Sequence, residues 1–254
     1  MTISLNNAIG DFFGTKEKWM TLLLLSVCQF IPIVGPMVLI GYFTRRFALV
    51  RSGGEELDFT FDDFAEYLQI GLWPTLAYLV VSFVAIPFII IAEIPMLFAI
   101  IKMAEEPESI APLIGGLVVT YGMIFVISLL LILVASPIVL RSSLMKSFKE
   151  GFSLSFIVSF LKKVGLSFTL WIFALAVLVF FASMVGMLAF FVGSIFVGTV
   201  AMYAGFHMLY QHYDLYLERG GGKIAIHPDV LKKASKVPPL PPSGVPPLLK
   251  GDGE

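Results

Sequence analysis

One carboxylate stands alone in an apolar run: Glu93, in FIIIAEIPMLF at residues 88–98. An ionisable group deep in a membrane helix is costly, and where it occurs it commonly marks an ion or proton path. Two readings compete for Glu93. Either it couples proton or ion movement, or it reaches water or headgroups near the end of a crossing. It stands nine residues before Lys102, roughly 13 Å along a helix. No second charge inside the run offers a relay. The spacing favours the headgroup-level reading, with Glu93 kept as the one candidate functional residue inside the membrane.

A second cluster, YAGFHMLYQHYDLYLERG, covers residues 203–220. His207 and Gln211 are four apart and share a helix face, but His212 and Asp214 do not complete a metal-ligand spacing. Tyr203, Tyr210, Tyr213 and Tyr216 are expected to anchor a helix end at the membrane–water interface, where tyrosine is enriched. The chain has no HExxH, phosphate-binding loop or CxxC, and shows no nucleophile–base pair. No catalytic residue, cofactor or metal ligand is assigned, and an enzyme is not expected.

The elements that must position these residues are membrane helices. Of 254 residues, 58% are hydrophobic and 14% charged, against about 25% charged in soluble domains. Residues 19–44, 109–140 and 164–213 hold no Lys, Arg, Asp or Glu. A crossing needs roughly 20 apolar residues, so each run is long enough. A soluble fold would have to bury several whole helices with little charge left to cover them. Cys28 has no partner cysteine and is expected to pack as a small apolar group. The formal net charge of −1 makes no general case for nucleic acid, so membrane lipids are the expected contacts. The polar start MTISLNNAIGDFFGTKEKW is unlike a cleaved export signal, and the first apolar run is expected to be retained.

The spacing predicts crossings over 70–101, 111–140, 165–186 and 190–212, with bends at Pro87, Pro95 and Pro137 and a tight turn at Gly186, Gly193 and Ser194. Residues 19–43 are harder, because IPIVGP interrupts them. Folding back there places sixteen of the seventeen basic residues on one side, leaving Lys102 opposite, as the positive-inside rule favours. This predicts about six membrane segments, the first two a short or re-entrant hairpin, with both ends cytoplasmic. The organisation read from the sequence is a cytoplasmic segment 1–18, a helical membrane domain 19–213 and a Gly/Pro-rich cytoplasmic tail 214–254.

Two cytoplasmic connections differ in character. Within 55–69, LDFTFDDFAEYLQ opens with a capping-box pattern at Thr60 and Asp63, and Phe61, Phe64, Ala65 and Leu68 share one face. Phe61, Phe64 and Leu68 are candidate partner contacts; the alternative is packing against the bundle. The connection 141–163 is basic, and Arg141, Lys146, Lys149, Lys162 and Lys163 are candidate contacts to anionic lipid. Phe148, Phe152, Phe156 and Phe160 recur every four residues there, with Gly151 and Ser153 as the place to split the helix. The two halves echo each other coarsely, as transporter halves do. After Gly220 a flexible glycine-rich exit and a short polar helix are expected, then the extended PPLPPSGVPPLLKGDGE.

GPMVLIGYFTRRFALVRSGG, DDFAEYLQIGL, SPIVLRSSLMKSFKEGFSLSF and AGFHMLYQHY, in that order over about residues 19–216, resemble the DUF4013 family of prokaryotic membrane proteins. The resemblance implies a multipass inner-membrane protein and carries over no catalytic residues. The expectation is an all-α polytopic protein of the prokaryotic cytoplasmic membrane. It would act as an accessory or scaffold, with other subunits of a membrane complex as partners, or else as a small permease or lipid-handling protein.

Overall fold

The structure, a computed structural model, describes residues 16–54, 56–106, 109–188 and 192–232, with single positions at 3 and 10. Helices α1 (Lys16–Cys28) and α2 (Val34–Arg51) form a short hairpin. A 3-10 turn, Phe61–Asp63, runs into α3 (Phe64–Ala92), followed by α4 (Ile94–Glu105) and α5 (Ala111–Met145). The short α6 (Phe148–Gly151) precedes α7 (Leu154–Leu188) and α8 (Val192–Glu218), and a last 3-10 turn covers Pro228–Leu231.

The protein is an all-α polytopic membrane protein, but with four long apolar spans instead of about six. Phe61–Glu105, Ala111–Met145, Leu154–Leu188 and Val192–Glu218 are long and apolar enough to cross. The first hairpin falls short for two physical reasons. α1 has 13 residues, roughly 20 Å against a hydrocarbon core of about 30 Å. α2 carries Arg45, Arg46 and Arg51, and it is buried from Met37 through Leu49, so protein and not lipid surrounds it.

The fold-back at IPIVGP is present. Ile33 takes φ 67° and ψ −54°, and the Val34 N–H donates to the Pro32 carbonyl at 2.7 Å. That geometry is a γ-turn, a strained one for a β-branched residue. The fold-back brings Lys18 to 3.2 Å from Glu56, in the loop after α2. Opposite it, α2 and α3 cross at backbone contact: a Cβ on Gly41 would sit 1.8 Å from the Tyr67 carbonyl oxygen, and one on Gly71 1.8 Å from that of Met37. Only glycine permits that crossing.

On the other side of the hairpin, Ser26 of α1 donates to Thr199 of α8 at 3.0 Å, and Trp19 stacks on Phe196. α5 packs along α3 and α4, α7 along α8, and α5 also touches α7. The bend expected from Pro87 and Pro95 is concentrated between Ala92 and Ile94, with Pro95 in the first turn of α4; Pro74 and Pro87 lie inside α3. The turn between α7 and α8 falls on 189–191, outside the described residues, and Gly186 and Gly193 flank it in backbone contact.

The buried core, including Tyr42, Phe43, Phe47, Tyr67, Leu140, Phe160, Tyr203 and Tyr210, gathers towards the end of the bundle that holds the arginines. Towards the opposite end, α3 to α5 and α7 present Phe83, Ile90, Phe98, Tyr121, Phe180 and many other large apolar side chains outward. The first is the basic end; the second, where α4 gives way to α5, is the hairpin end.

Candidate functional site

The basic end is built around α2. Arg45, fully buried, donates from Nε to the Lys232 carbonyl at 2.8 Å and from Nη1 to Glu66 Oε2 at 2.7 Å; its guanidinium lies 5.8 Å from the centre of the Tyr67 ring. Arg46 donates to the Tyr42 hydroxyl at 3.2 Å, stands 3.6 Å from Glu56 and lies 5.5 Å from the Tyr203 ring centre. Arg51 pairs with Asp214 and the Tyr210 carbonyl and lies 4.6 Å from the Tyr210 ring centre. Arg141 on α5 repeats the arrangement, with Glu150 at 3.1 Å and the Phe156 ring at 5.4 Å. Among the described residues each guanidinium thus meets a carboxylate and an aromatic face. A planar, weakly hydrated cation is suited to both contacts. These arginines act as clamps between helices.

The segment after α8 closes the cluster. It is not the flexible exit expected from its glycines, because its backbone is tied down over residues 221–232. Gly221 donates to the Tyr216 carbonyl at 2.9 Å, Ile224 to the Tyr213 hydroxyl at 2.7 Å and His227 to the Leu144 carbonyl at 2.8 Å. Ile224 and Val230 are buried beneath it. Asp229 lies 2.8 Å from Lys146 and 2.6 Å from Lys232. Hydrogen bonds from Lys146 and then Lys232 hold its carboxyl well below the usual carboxylate range, and Asp229 in turn raises Lys232. The residues from 233 onwards, including the proline-rich tail, lie outside the described residues, as does most of the 1–18 segment.

The residues singled out from the sequence fall in three places. Glu93 caps the end of α3, exposed on the outer surface of the bundle; the structure does not bring it together with any of the other candidates. Of the basic candidates, Arg141 and Lys146 are engaged as above, and Lys163 donates to the Arg219 carbonyl. Lys149 and Lys162 are exposed. Lys162 and Lys163 border an open groove of about 490 Å³ with Leu154, Ser155, Val158 and Ser159. The helix split around Gly151 and Ser153 is present as the break between α6 and α7.

In the third place, the aromatic face of 57–69 is turned differently from expectation. Asp63, Tyr67 and Ile70 are buried, Phe64 and Leu68 half-buried, and Phe61 is 53% exposed. Phe61 contacts Phe59 edge-on at 5.4 Å and stacks on Phe64 at 6.4 Å. Thr60 hydrogen-bonds the Asp63 carboxylate at 3.2 Å and no side chain caps the helix backbone there, so the capping box is replaced by a side-chain pair.

Sequence reasoning missed the tyrosines and the buried arginine pair. Tyr203, Tyr210, Tyr213 and Tyr216 are all buried, so they form a core and not an interface belt. The signal was present in GYFTRRFALV: two arginines with apolar residues on every side of the helix must be enclosed by partners and not by lipid. A polar pair also bridges α7 and α8: Ser167 Oγ lies 3.3 Å from His212 Nε2, and His212 Nδ1 lies 2.8 Å from the Met208 carbonyl. That carbonyl fixes the ring, and His212 is fully buried. No group of His, Cys, Asp and Glu suited to a metal occurs among the described residues.

A family model described as "Protein of unknown function (DUF4013)" matches residues 24–205. The chain belongs to the DUF4013 family. The match begins within α1 and ends within α8, so it takes in the hairpin, the arginine clamps of α2 and α5 and all four spans in whole or part. The closing segment 219–232 of this DUF4013 protein lies beyond it. No curated protein and no solved structure matches the chain.

Proposed function

We propose that this protein is a non-catalytic accessory or scaffold subunit of a larger assembly in a prokaryotic cytoplasmic membrane, with its basic end on the cytoplasmic side. The observation that carries the reading is the pairing of a closed core with an uncovered aromatic crest. The arginines of the basic end are consumed by internal clamps, whereas Phe61 stands half-exposed above Phe59 and Phe64 beside the acids Asp62 and Glu66. Exposed aromatics on a rigid support are typical anchors for a protein partner. Orientation follows from the collection of Lys and Arg at that end.

The experiment is purification of the full chain from its native membrane into lipid nanodiscs, followed by mass spectrometry of proteins and lipids. A partner in stoichiometric amount, lost on Phe61→Asp without loss of the fold, is the expected result. Recovery of the chain alone, with one solute or lipid selectively enriched, overturns the reading in favour of a small permease or lipid-handling protein. The groove beside Lys162 favours that second reading, since lysines over an apolar wall suit an anionic headgroup.

A further inference from the structure

At the hairpin end, α4 and α5 come together so closely that a Cβ on Gly116 would lie 2.4 Å from the Ala99 Cβ. Their contact leaves an outward-facing groove of about 290 Å³, bordered by Pro95, Phe98, Lys102, Gly115, Gly116 and Val119. Gly115 lines it with bare, exposed backbone, and a Cβ there would meet nothing within 4 Å. The groove is graded in polarity. Pro95, Phe98 and Val119 line its deep part, and Lys102 stands at its lip, seven residues from Pro95 and therefore roughly 10 Å along the helix.

Beyond the lip the chain turns acidic. Glu105 and Glu106 are exposed and follow Lys102 by three and four residues, roughly 5 Å farther out along the axis. Lys102, Glu105 and Glu106 make no ion pair among the described residues. From the bilayer outward the order is therefore apolar wall, cation, carboxylates. A phospholipid with an amine at its tip has the complementary order: acyl chain, phosphate, ammonium.

We propose that the α4–α5 groove holds one aminophospholipid of the ethanolamine type, its chain over Gly115, its phosphate at Lys102 and its ammonium at Glu105 and Glu106. A lipid with a phosphate and no amine meets a lip whose described residues carry one positive and two negative charges, and is repelled. A choline headgroup carries no N–H to donate to the carboxylates, whereas a primary ammonium donates three hydrogen bonds. A partner helix seated in the groove would bury Lys102 against apolar side chains, and an unpaired buried charge is strongly unfavourable. The site is distinct from the aromatic crest and from the lysines at the basic end, and it holds whichever role the crest serves.

The test is native mass spectrometry of the full chain in mild detergent, titrated with phosphatidylethanolamine and phosphatidylglycerol of identical acyl chains. The wild type is expected to retain one phosphatidylethanolamine about tenfold more strongly than phosphatidylglycerol, the equivalent of about 1.4 kcal/mol. Gly115→Leu fills the groove and is expected to abolish that retention with the helical content and thermal midpoint unchanged. Glu105→Gln with Glu106→Gln keeps the groove and is expected to erase the preference between the two lipids. This lip variant carries the test by itself if Gly115→Leu does not fold. Equal retention of both lipids by the wild type, or an undiminished preference in the lip variant, overturns the proposal. So does a folded Gly115→Leu that still holds the lipid, or one that instead changes the oligomeric state.

Discussion

The two ends of this bundle are held together by different physics. At the basic end, helices meet through large side chains: Tyr42, Phe43, Tyr67, Phe160, Tyr203 and Tyr210 are buried, and arginines clamp one element to the next. At the hairpin end the buried residues are small. Ala85, Ala92 and Ala99 recur every seven residues along α3 and α4, and Gly116 and Thr120 are buried on α5. The large apolar side chains there point outward. Water drives the first kind of packing and gives the second little, because lipid tails are as apolar as leucine and helices in lipid associate through close backbone approach. A polar-side core therefore holds the fold, and the membrane half is arranged around it.

The sharpest way to break this contrast is to separate α2 from α3. Gly41→Leu forces a side chain into the Tyr67 backbone and is expected to cost more than about 4 kcal/mol, seen as loss of folded protein in detergent. Ile90→Ala, on an outward-facing position of α3, is expected to stay within about 0.5 kcal/mol and serves as the reference. If both variants melted alike, the division into two ends would be wrong.

Next in size is Arg45→Ala. It empties a fully buried site and leaves the Lys232 carbonyl without its donor, whereas Glu66, half-exposed, returns to water. It is expected to cost about 2 kcal/mol, with faster amide exchange over residues 224–232 as the accompanying sign. A normal thermal midpoint would show that the clamp contributes nothing.

A smaller effect is expected from pH. The Asp229 carboxyl is lowered from its ordinary 3.8 by Lys146 and Lys232, so its contribution is complete above that value and fades as pH falls through the depressed one. Exchange protection of residues 224–232 should therefore be flat at neutral pH and drop only below about pH 4. Asp229→Asn should show the acid level of protection at pH 7. An acid transition that the variant retains would assign it to another group.

The smallest expected effect is that of Glu93→Gln. Exposed at the end of α3, this position should tolerate the change within about 0.5 kcal/mol, and growth dependent on the protein should be unaltered. A folded variant without function would return Glu93 to a coupling role.

Which parts of this architecture were legible in the sequence follows the same division. The four spans could be read because lipid-facing helices must be apolar all round, so 111–140 and 164–213 show as runs without charge and 70–101 as a run broken by Glu93 alone. The fold-back could be read because IPIVGP cannot continue a helix. α2 is the exception: its apolar run reads as a short membrane segment by length alone, and only Arg45 and Arg46, flanked by apolar residues, point to enclosure by protein. The tyrosines of α8 failed for a related reason: an interface belt and an aromatic core use the same residue at the same depth. The segment 219–232 was misjudged because its contacts are long-range, such as Ile224 to Tyr213 and Lys146 to Asp229, and glycine content speaks only of local freedom.

The enclosure of α2 also sets an order of assembly. A helix bearing Arg45 and Arg46 has no stable place in bare lipid, and the neighbours that enclose it include α8 and the backbone of Lys232. Of those partners, α8 is the last long span to be made and Lys232 follows it. Helix α2 must therefore wait at the membrane surface, or in the care of an insertion factor, until α8 and the segment 219–232 arrive to receive it.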